Sequence, residues 1–167
     1  MSRAFINEDQ HEEPIFIPPR APLPEGQVNY VTPLGWEELK AELKKWDAKL
    51  QELNFLEMEE DEQRRQFNFI NGSKELLQKR IASAVVVILE NQPKDEIRFG
   101  AKVILRIDKA PKQSLQIVGV DEADVKKNKI AFTSPLARAI LGKKEGETVS
   151  LHLGNESRLV QLFEFSY

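Results

Sequence analysis

Cysteine is absent from this 167-residue sequence, which excludes disulfide bonds, thiolate catalysis and thiolate metal sites. No apolar run of about 18 residues occurs and no apolar signal segment begins the chain, so no membrane partner is expected. The two histidines, His11 and His152, are isolated and predict neither a metal site nor a catalytic triad. Glycine-rich phosphate-binding motifs are also lacking. We therefore expect a cytoplasmic protein with no active site and no bound cofactor of its own.

A strong excess of one charge sign is lacking too. The chain carries 24 Lys and Arg against 27 Asp and Glu, for a net charge of −3. No segment is basic enough to bind nucleic acid by itself. Hydrophobic residues make up 41% of the chain, which is enough for a core, and the length fits one or two small domains.

Proline is unevenly distributed, and six of the nine prolines lie within residues 1–33. Because this region also lacks hydrophobic periodicity, it predicts neither a helix nor a central strand. We expect residues 1–31 to form an extended or disordered arm that docks loosely or not at all. Its one apolar patch is Ile15-Phe16-Ile17.

Residues 32–88 contain two apolar series with an average spacing of 3.5 residues, which is typical of a coiled-coil seam. The two series are mirror images about Glu60 and therefore predict an antiparallel helical hairpin. The predicted seam residues are Trp36, Leu39, Leu43, Trp46, Leu50 and Leu53 on the first helix, and Phe67, Ile70, Lys74, Leu77, Ile81 and Ala84 on the second.

Local signals place the ends of these helices. Thr32 as N-cap and Pro33 at the first helical position predict the start of a helix that continues to about Glu57. The second helix is predicted from about Glu62 to Ser83. Gly72 lies inside it and costs about 1 kcal/mol relative to alanine, which indicates a weak point or a kink. Lys74 is expected to pack its stem on Trp46.

The turn of this hairpin holds the densest acidic run of the chain. The candidate functional residues are Glu57, Glu59, Glu60, Asp61 and Glu62. One interpretation is a cation-binding tip, and the other is a turn that simply prefers water. Arg64 and Arg65 follow, and they either offset these acids or contact a partner.

After the apolar run 84–89 and the turn signal Asn91-Gln92-Pro93, the hydrophobic period changes to two, which is typical of strands. Strands are predicted at residues 97–107, 114–120, 129–133, 148–153 and 157–165. A short helix is predicted after Ser134, with Pro135 in its first turn and Gly142 at its end. The pattern predicts a second domain over residues 95–167, an antiparallel sheet with one short helix. The whole chain is therefore of the α+β class.

Several stretches resemble the GreA/GreB family of bacterial transcription elongation factors over about residues 29–167. They are Val31–Leu39 (VTPLGWEEL), Ile97–Val103 (IRFGAKV), Ile117–Asp124 (IVGVDEAD), Ser134–Lys143 (SPLARAILGK) and Glu145–Glu147 (EGE). The most specific of these is SPLARAILGK following IVGVDEAD.

The resemblance implies an FKBP-like C-terminal domain that docks at the rim of the secondary channel of RNA polymerase. It implies that the coiled coil enters the channel and meets the RNA and DNA of the elongation complex indirectly. Tip acids of the family help to hold a second Mg²⁺ there, and the polymerase then cleaves its own backtracked RNA. By this resemblance Glu59 and Asp61 would face the metal, only within the polymerase complex. The candidate polymerase contacts are Asp121, Glu122, Asp124, Ser134, Pro135 and Arg138, although the first three could also belong to a loop that simply prefers water.

The sequence departs from the family at the tip. The family's tip reads approximately Asp-Leu-Ser-Glu-Asn-Ala-Glu-Tyr and has no counterpart here. Each arm of the hairpin is also shorter by about one heptad, or about 10 Å at 1.5 Å per residue. Three hypotheses stay open, with a monomer expected in each. The protein stimulates transcript cleavage, or it occupies the channel without cleavage as Rnk-type relatives do, or it is a prolyl isomerase or chaperone.

Overall fold

Two long helices begin the folded part of the chain in the computed structural model, which describes residues 14–167. Helix α1 spans Pro33–Leu53 and helix α2 spans Glu60–Ala82, so each is roughly 30–35 Å long at 1.5 Å per residue. The Thr32 hydroxyl accepts a hydrogen bond from the Gly35 N–H at 3.0 Å, which confirms the predicted start of α1. The first helix ends four residues before the predicted Glu57.

The helices pack along most of the predicted seam. Leu39, Leu53, Ile70 and Leu77 are buried, as the mirror pairing requires. Phe67 was predicted to lie in the seam but is 46% exposed. The predicted seam therefore does not extend to Phe67.

Trp46 contacts residues of both helices. Its ring meets Phe69 edge-on at 6.1 Å between centroids. Lys49 places its Nζ 4.5 Å from the Trp46 ring centroid. Lys74 Nζ lies 2.6 Å from Asp47 Oδ1, an acceptor on the facing helix, and packing of the Lys74 stem on Trp46 stays a prediction. Lys74 therefore joins the two helices by an ion pair.

The N-terminal arm contacts the folded body at several points from Ile15 onward. Ile17 packs over Gly72, where an added Cβ would collide with Ile17 Cδ1. Helix α2 continues through Gly72 without interruption, and the glycine provides space for the arm. The weak point or kink predicted at Gly72 stays a prediction. Strand β1, Asn29–Val31, pairs in parallel with β2, Ala84–Val86. Of the two alternatives predicted for the arm, residues 14–31 follow the extended one and contact the folded body, whereas residues 1–13 lie outside the described residues.

The second half of the chain forms a sheet of five strands within the described residues, in the order β5-β4-β3-β7-β6. Their bounds are Lys102–Ile107 for β3, Gln113–Val118 for β4, Lys129–Ala131 for β5, Thr148–Leu153 for β6 and Glu156–Ser166 for β7. Neighbouring strands are antiparallel except β4 and β5, which are parallel. The prediction of a fully antiparallel sheet is therefore wrong for the pair β4–β5. The loop between β4 and β5, with its 3₁₀ turn Val125–Lys127, carries the chain back before β5 begins.

Helix α3, Pro135–Ile140, packs its apolar side against the sheet. Ser134 caps it by accepting a hydrogen bond from the Ala137 N–H at 3.3 Å. Leu105, Ile117, Ile140 and Leu162 are fully buried between the helix and the sheet. Burying each such side chain stabilises the fold by about 1.5–3 kcal/mol. The α+β class, with a helical hairpin followed by a sheet domain, is confirmed. No described helix is long and apolar enough to cross a membrane.

Candidate functional site

The tip of the hairpin, residues 54–62, joins the end of α1 to the start of α2. Asn54 closes α1, and Glu59 is the N-cap of α2 without a side-chain capping hydrogen bond. Glu60, Asp61 and Glu62 occupy the first turn of α2. A helix N-terminus favours each nearby negative charge by about 0.3–1 kcal/mol, which offsets part of their mutual repulsion. The acidic run therefore has a local structural cause in addition to any function.

Two of the five tip acids have partners along the helix. Asp61 Oδ1 lies 3.0 Å from an Arg64 guanidinium nitrogen. Glu62 Oε1 accepts a hydrogen bond from Gln66 Nε2 at 3.0 Å. Both are exposed pairs one turn apart, and such pairs contribute only about 0.2–0.5 kcal/mol each. They orient these carboxylates without burying them.

The other three tip acids stand free. The side chains of Glu57, Glu59 and Glu60 are exposed and form no hydrogen bond or ion pair with any other residue of the part that the structure describes. An exposed carboxylate of this kind can accept hydrogen bonds or coordinate a hard cation that a partner supplies.

The tip does not assemble a metal site by itself. Within residues 14–167, no three His, Asp or Glu side chains lie close enough together to hold a metal ion. Of the two predicted metal-facing residues, Asp61 is engaged by Arg64 and Glu59 points into solvent. Mg²⁺ binding by these residues within a polymerase complex stays a prediction.

Apolar side chains surround the acids, and sequence reasoning gave them too little weight. Phe55 is 87% exposed and Leu56 is 54% exposed. Beside them lies a groove of about 500 Å³ between the ends of the two helices. Its apolar lining is formed by Ile15, Trp46, Leu53, Leu56, Phe69 and Ile70. The signal was present in Asn54-Phe55-Leu56, which continues past the last seam leucine with no polar residue to cover it.

Asp121, a predicted polymerase contact, lies at the junction between the sheet domain and the hairpin. Its Oδ1 accepts a hydrogen bond from Arg20 Nε at 2.9 Å, and its Oδ2 lies 3.2 Å from Arg80 Nε. Its side chain is only 6% exposed. Arg20 also donates two hydrogen bonds to the Glu42 carboxylate, at 2.8 and 3.0 Å. Asp121 is therefore a structural residue, and the prediction that it meets a partner does not fit its burial.

The interactions at this junction shift the pKa values of Glu42 and Arg20. The hydrogen bond from Arg20 lowers the pKa of Glu42 below its usual value, although burial opposes the shift. Burial by itself would lower the pKa of Arg20, but hydrogen bonding to Glu42 and the charge of Asp121 outweigh it and raise that pKa. Both groups are therefore held in their charged forms.

Glu122 is the second predicted contact that the structure reassigns. Its buried carboxylate accepts hydrogen bonds from the Thr32 N–H at 2.9 Å, the Thr32 hydroxyl at 2.5 Å and the Gly119 N–H at 3.3 Å. An added Cβ at Gly35 would collide with this carboxylate. Glu122 thus fixes the start of α1 to the sheet domain and is inaccessible to a partner.

The remaining predicted contacts divide into capping and exposed residues. Asp124 caps the 3₁₀ turn, and one of its oxygens lies 3.6 Å from Lys127 Nζ. Ser134 caps α3. Pro135 and Arg138 are exposed on α3. The Asp124 side chain is also 37% exposed, and a contact of Asp124, Pro135 or Arg138 with polymerase stays a prediction.

The geometry defines a class of protein in which an exposed helical hairpin is anchored to a small sheet domain. A family model for the GreA/GreB transcription elongation factor C-terminal region matches residues 92–167. The chain is 33% identical over 153 residues to transcription elongation factor GreB of Neisseria meningitidis serogroup B, covering 83% of this chain and 94% of that protein. It is 38% identical over 101 residues to GreA of Hyphomonas neptunium, covering 60% and 64%. The chain belongs to the GreA/GreB family and has a role in transcription elongation.

Solved structures of related proteins align with low scores. A GreA/GreB factor from Nitrosomonas europaea has a TM-score of 0.39 at 20% identity, over 84% of this chain and 99% of that one. Gfh1 of Thermus aquaticus also has a TM-score of 0.39, at 21% identity over 83% and 97%. The family assignment does not depend on these alignments.

Proposed function

We propose that the protein binds RNA polymerase at its secondary channel and inserts the hairpin, so that the tip regulates elongation by occupying the channel. Membership of the GreA/GreB family supports RNA polymerase as the partner. The observation that carries the proposal is the exposed tip at the end of two helices roughly 30 Å long, held on the sheet domain at their other end.

Occupation of the channel, without cleavage, fits the tip best. Asp61 is paired with Arg64, and apolar side chains are exposed beside the acids. Phe55 and Leu56 would bury apolar surface against a partner, at about 25 cal/mol per Å². Such contacts block a passage without requiring any placement of a catalytic ion.

Stimulation of transcript cleavage is the second candidate, and the free carboxylates of Glu57, Glu59 and Glu60 favour it. Carboxylates supplied to a polymerase-bound Mg²⁺ would help to position the water that attacks the phosphodiester bond. In this candidate the polymerase is the enzyme, and the protein contributes ligands without an active site of its own.

A backtracked transcription complex separates the two candidates. The full chain is added to a stalled polymerase complex in the presence of Mg²⁺, and both binding and the length of the labelled RNA are measured. The tip variant is Glu59→Ala/Asp61→Ala. The matched control is Glu38→Ala/Glu75→Ala, which removes two exposed acids of the hairpin away from the tip.

Binding without shortened RNA is the result expected for a channel occupant. Shortened RNA that is lost in the tip variant and kept in the control would establish cleavage stimulation instead. Absence of binding to the polymerase by the wild-type chain would refute both candidates.

A further inference from the structure

The N-terminal arm contacts every structural unit of the described chain. Near the tip, Ile15 lines the groove between the two helix ends. Two residues further on, Ile17 packs over Gly72 in the middle of α2. Ala21 and Leu23 then pack against the core of the sheet domain. The arm therefore runs the length of the hairpin and ends on the other domain.

Charged groups fix the middle of this path. Arg20 joins Glu42 on α1 to Asp121 on the sheet domain, and Arg80 on α2 joins the same Asp121 to the arm. The bond to the arm is donated by the Arg80 guanidinium to the Ala21 carbonyl oxygen at 2.5 Å. The side chains of Arg20, Arg80 and Asp121 are 18%, 12% and 6% exposed. Because this network is buried, removal of one partner leaves the charges of the others without compensation.

We propose that residues 15–23 are an intramolecular brace, with Arg20 as its positioning residue, that fixes the direction of the hairpin relative to the sheet domain. The other links between the two units, the Thr32–Glu122 hydrogen bonds and the Arg80–Asp121 ion pair, lie at the base of the hairpin, where the β1–β2 pairing also joins the arm to the segment that follows α2. Through Glu42, Arg20 adds a link to α1 that lies away from the base. Ile17 adds a further contact over Gly72, in the middle of α2. The brace lies outside residues 29–167, where the family resemblance is found.

The direction of the hairpin has a large effect at its tip. Because the helices are roughly 30 Å long, a tilt of about 10° at the base moves the tip by about 5 Å. Carboxylate–metal contacts and van der Waals contacts are shorter than this displacement. The consequence for polymerase rests on the proposed function, whereas the brace itself is a property of the isolated protein.

Distance measurements between spin labels test the brace without polymerase. The chain has no cysteine, so Gln51→Cys near the tip and Lys109→Cys in the sheet domain give two specific labels at exposed positions. Electron–electron double resonance is recorded for this pair with Arg20 intact, with Arg20→Ala and with Glu42→Gln. Arg158→Ala is the matched control, because Arg158 forms an exposed ion pair with Glu156 within β7.

A single narrow distance distribution is expected with Arg20 intact and with Arg158→Ala. Arg20→Ala is expected to broaden it or add a second distance, and Glu42→Gln to do so more weakly. Circular dichroism checks that each variant keeps its helix content. If Arg20→Ala does not fold, the distance distribution of Glu42→Gln is the deciding result. A distribution unchanged in the deciding variant would overturn the brace.

Polymerase binding tests the consequence separately. If Arg20→Ala leaves about one tenth of the molecules in the competent orientation, the apparent Kd rises about tenfold. A broadened distribution with unchanged polymerase affinity would retain the brace and overturn its role in binding. Failure of the wild-type chain to bind polymerase would refute the proposed function and leave the distance result standing.

Discussion

Removal of the buried Glu122 carboxylate should release the start of α1 from the sheet domain. Glu122→Ala leaves the backbone N–H groups of Thr32 and Gly119 without their acceptor, and also leaves the Thr32 hydroxyl without it. Each unsatisfied buried group costs about 1–3 kcal/mol, so for these three groups we expect a total loss of about 3–9 kcal/mol. Glu122→Gln keeps a neutral acceptor and should cost about 1–2 kcal/mol.

Urea unfolding measures both variants, with tryptophan fluorescence as the hairpin signal. The two tryptophans of the chain, Trp36 and Trp46, both lie on α1. Circular dichroism follows the whole chain in parallel. Glu156→Ala removes an exposed carboxylate paired with Arg158 and should cost about 1 kcal/mol or less. If Glu122→Ala costs no more than Glu156→Ala, the assignment of Glu122 as the anchor of α1 is wrong.

Two further predictions concern the arm. In an Ile17→Ala background, Gly72→Ala should stabilise the protein by about 1 kcal/mol, because alanine favours the helix. With Ile17 present the gain should be smaller, because the new Cβ meets the Ile17 side chain. Urea unfolding of the four variants checks this, and equal gains in both backgrounds would contradict the contact. Since the pKa of Glu42 is lowered in the folded state, its contribution to stability is present above its ordinary pKa of 4.5 and is lost as the pH falls through the lowered value. The stability difference between wild type and Glu42→Gln should therefore shrink on acidification below pH 4.5, and a difference that grows there would refute the pairing with Arg20.

Signals close together in the sequence predicted the structure well. Thr32-Pro33 and Ser134-Pro135 marked two helix starts because the cap and the N–H group that it accepts from are three residues apart. The heptad pattern predicted the hairpin because each helix must bury one side against the other. The family resemblance, carried by short motifs of the sheet domain, is confirmed by the relatives.

Long-range pairing could not be predicted in the same way. Asp121 and Glu122 looked like exposed acids of a loop, but their partners Arg20 and Thr32 lie 101 and 90 residues away. The arm looked unstructured because its contacts come from isolated residues without a period. Ile17 fits over Gly72 only once α2 has formed, and no local pattern indicates that match.

A photocrosslinker at Phe55 tests whether the tip of the hairpin enters the polymerase. Phe55 is 87% exposed, so p-benzoylphenylalanine can replace it without disturbing the core, and the same substitution at Leu159 on β7 is the control. Crosslinks from position 55 should map to the interior of the secondary channel near the active centre, and those from position 159 should not. Crosslinks from position 55 that map to the outer surface of the polymerase would contradict the account.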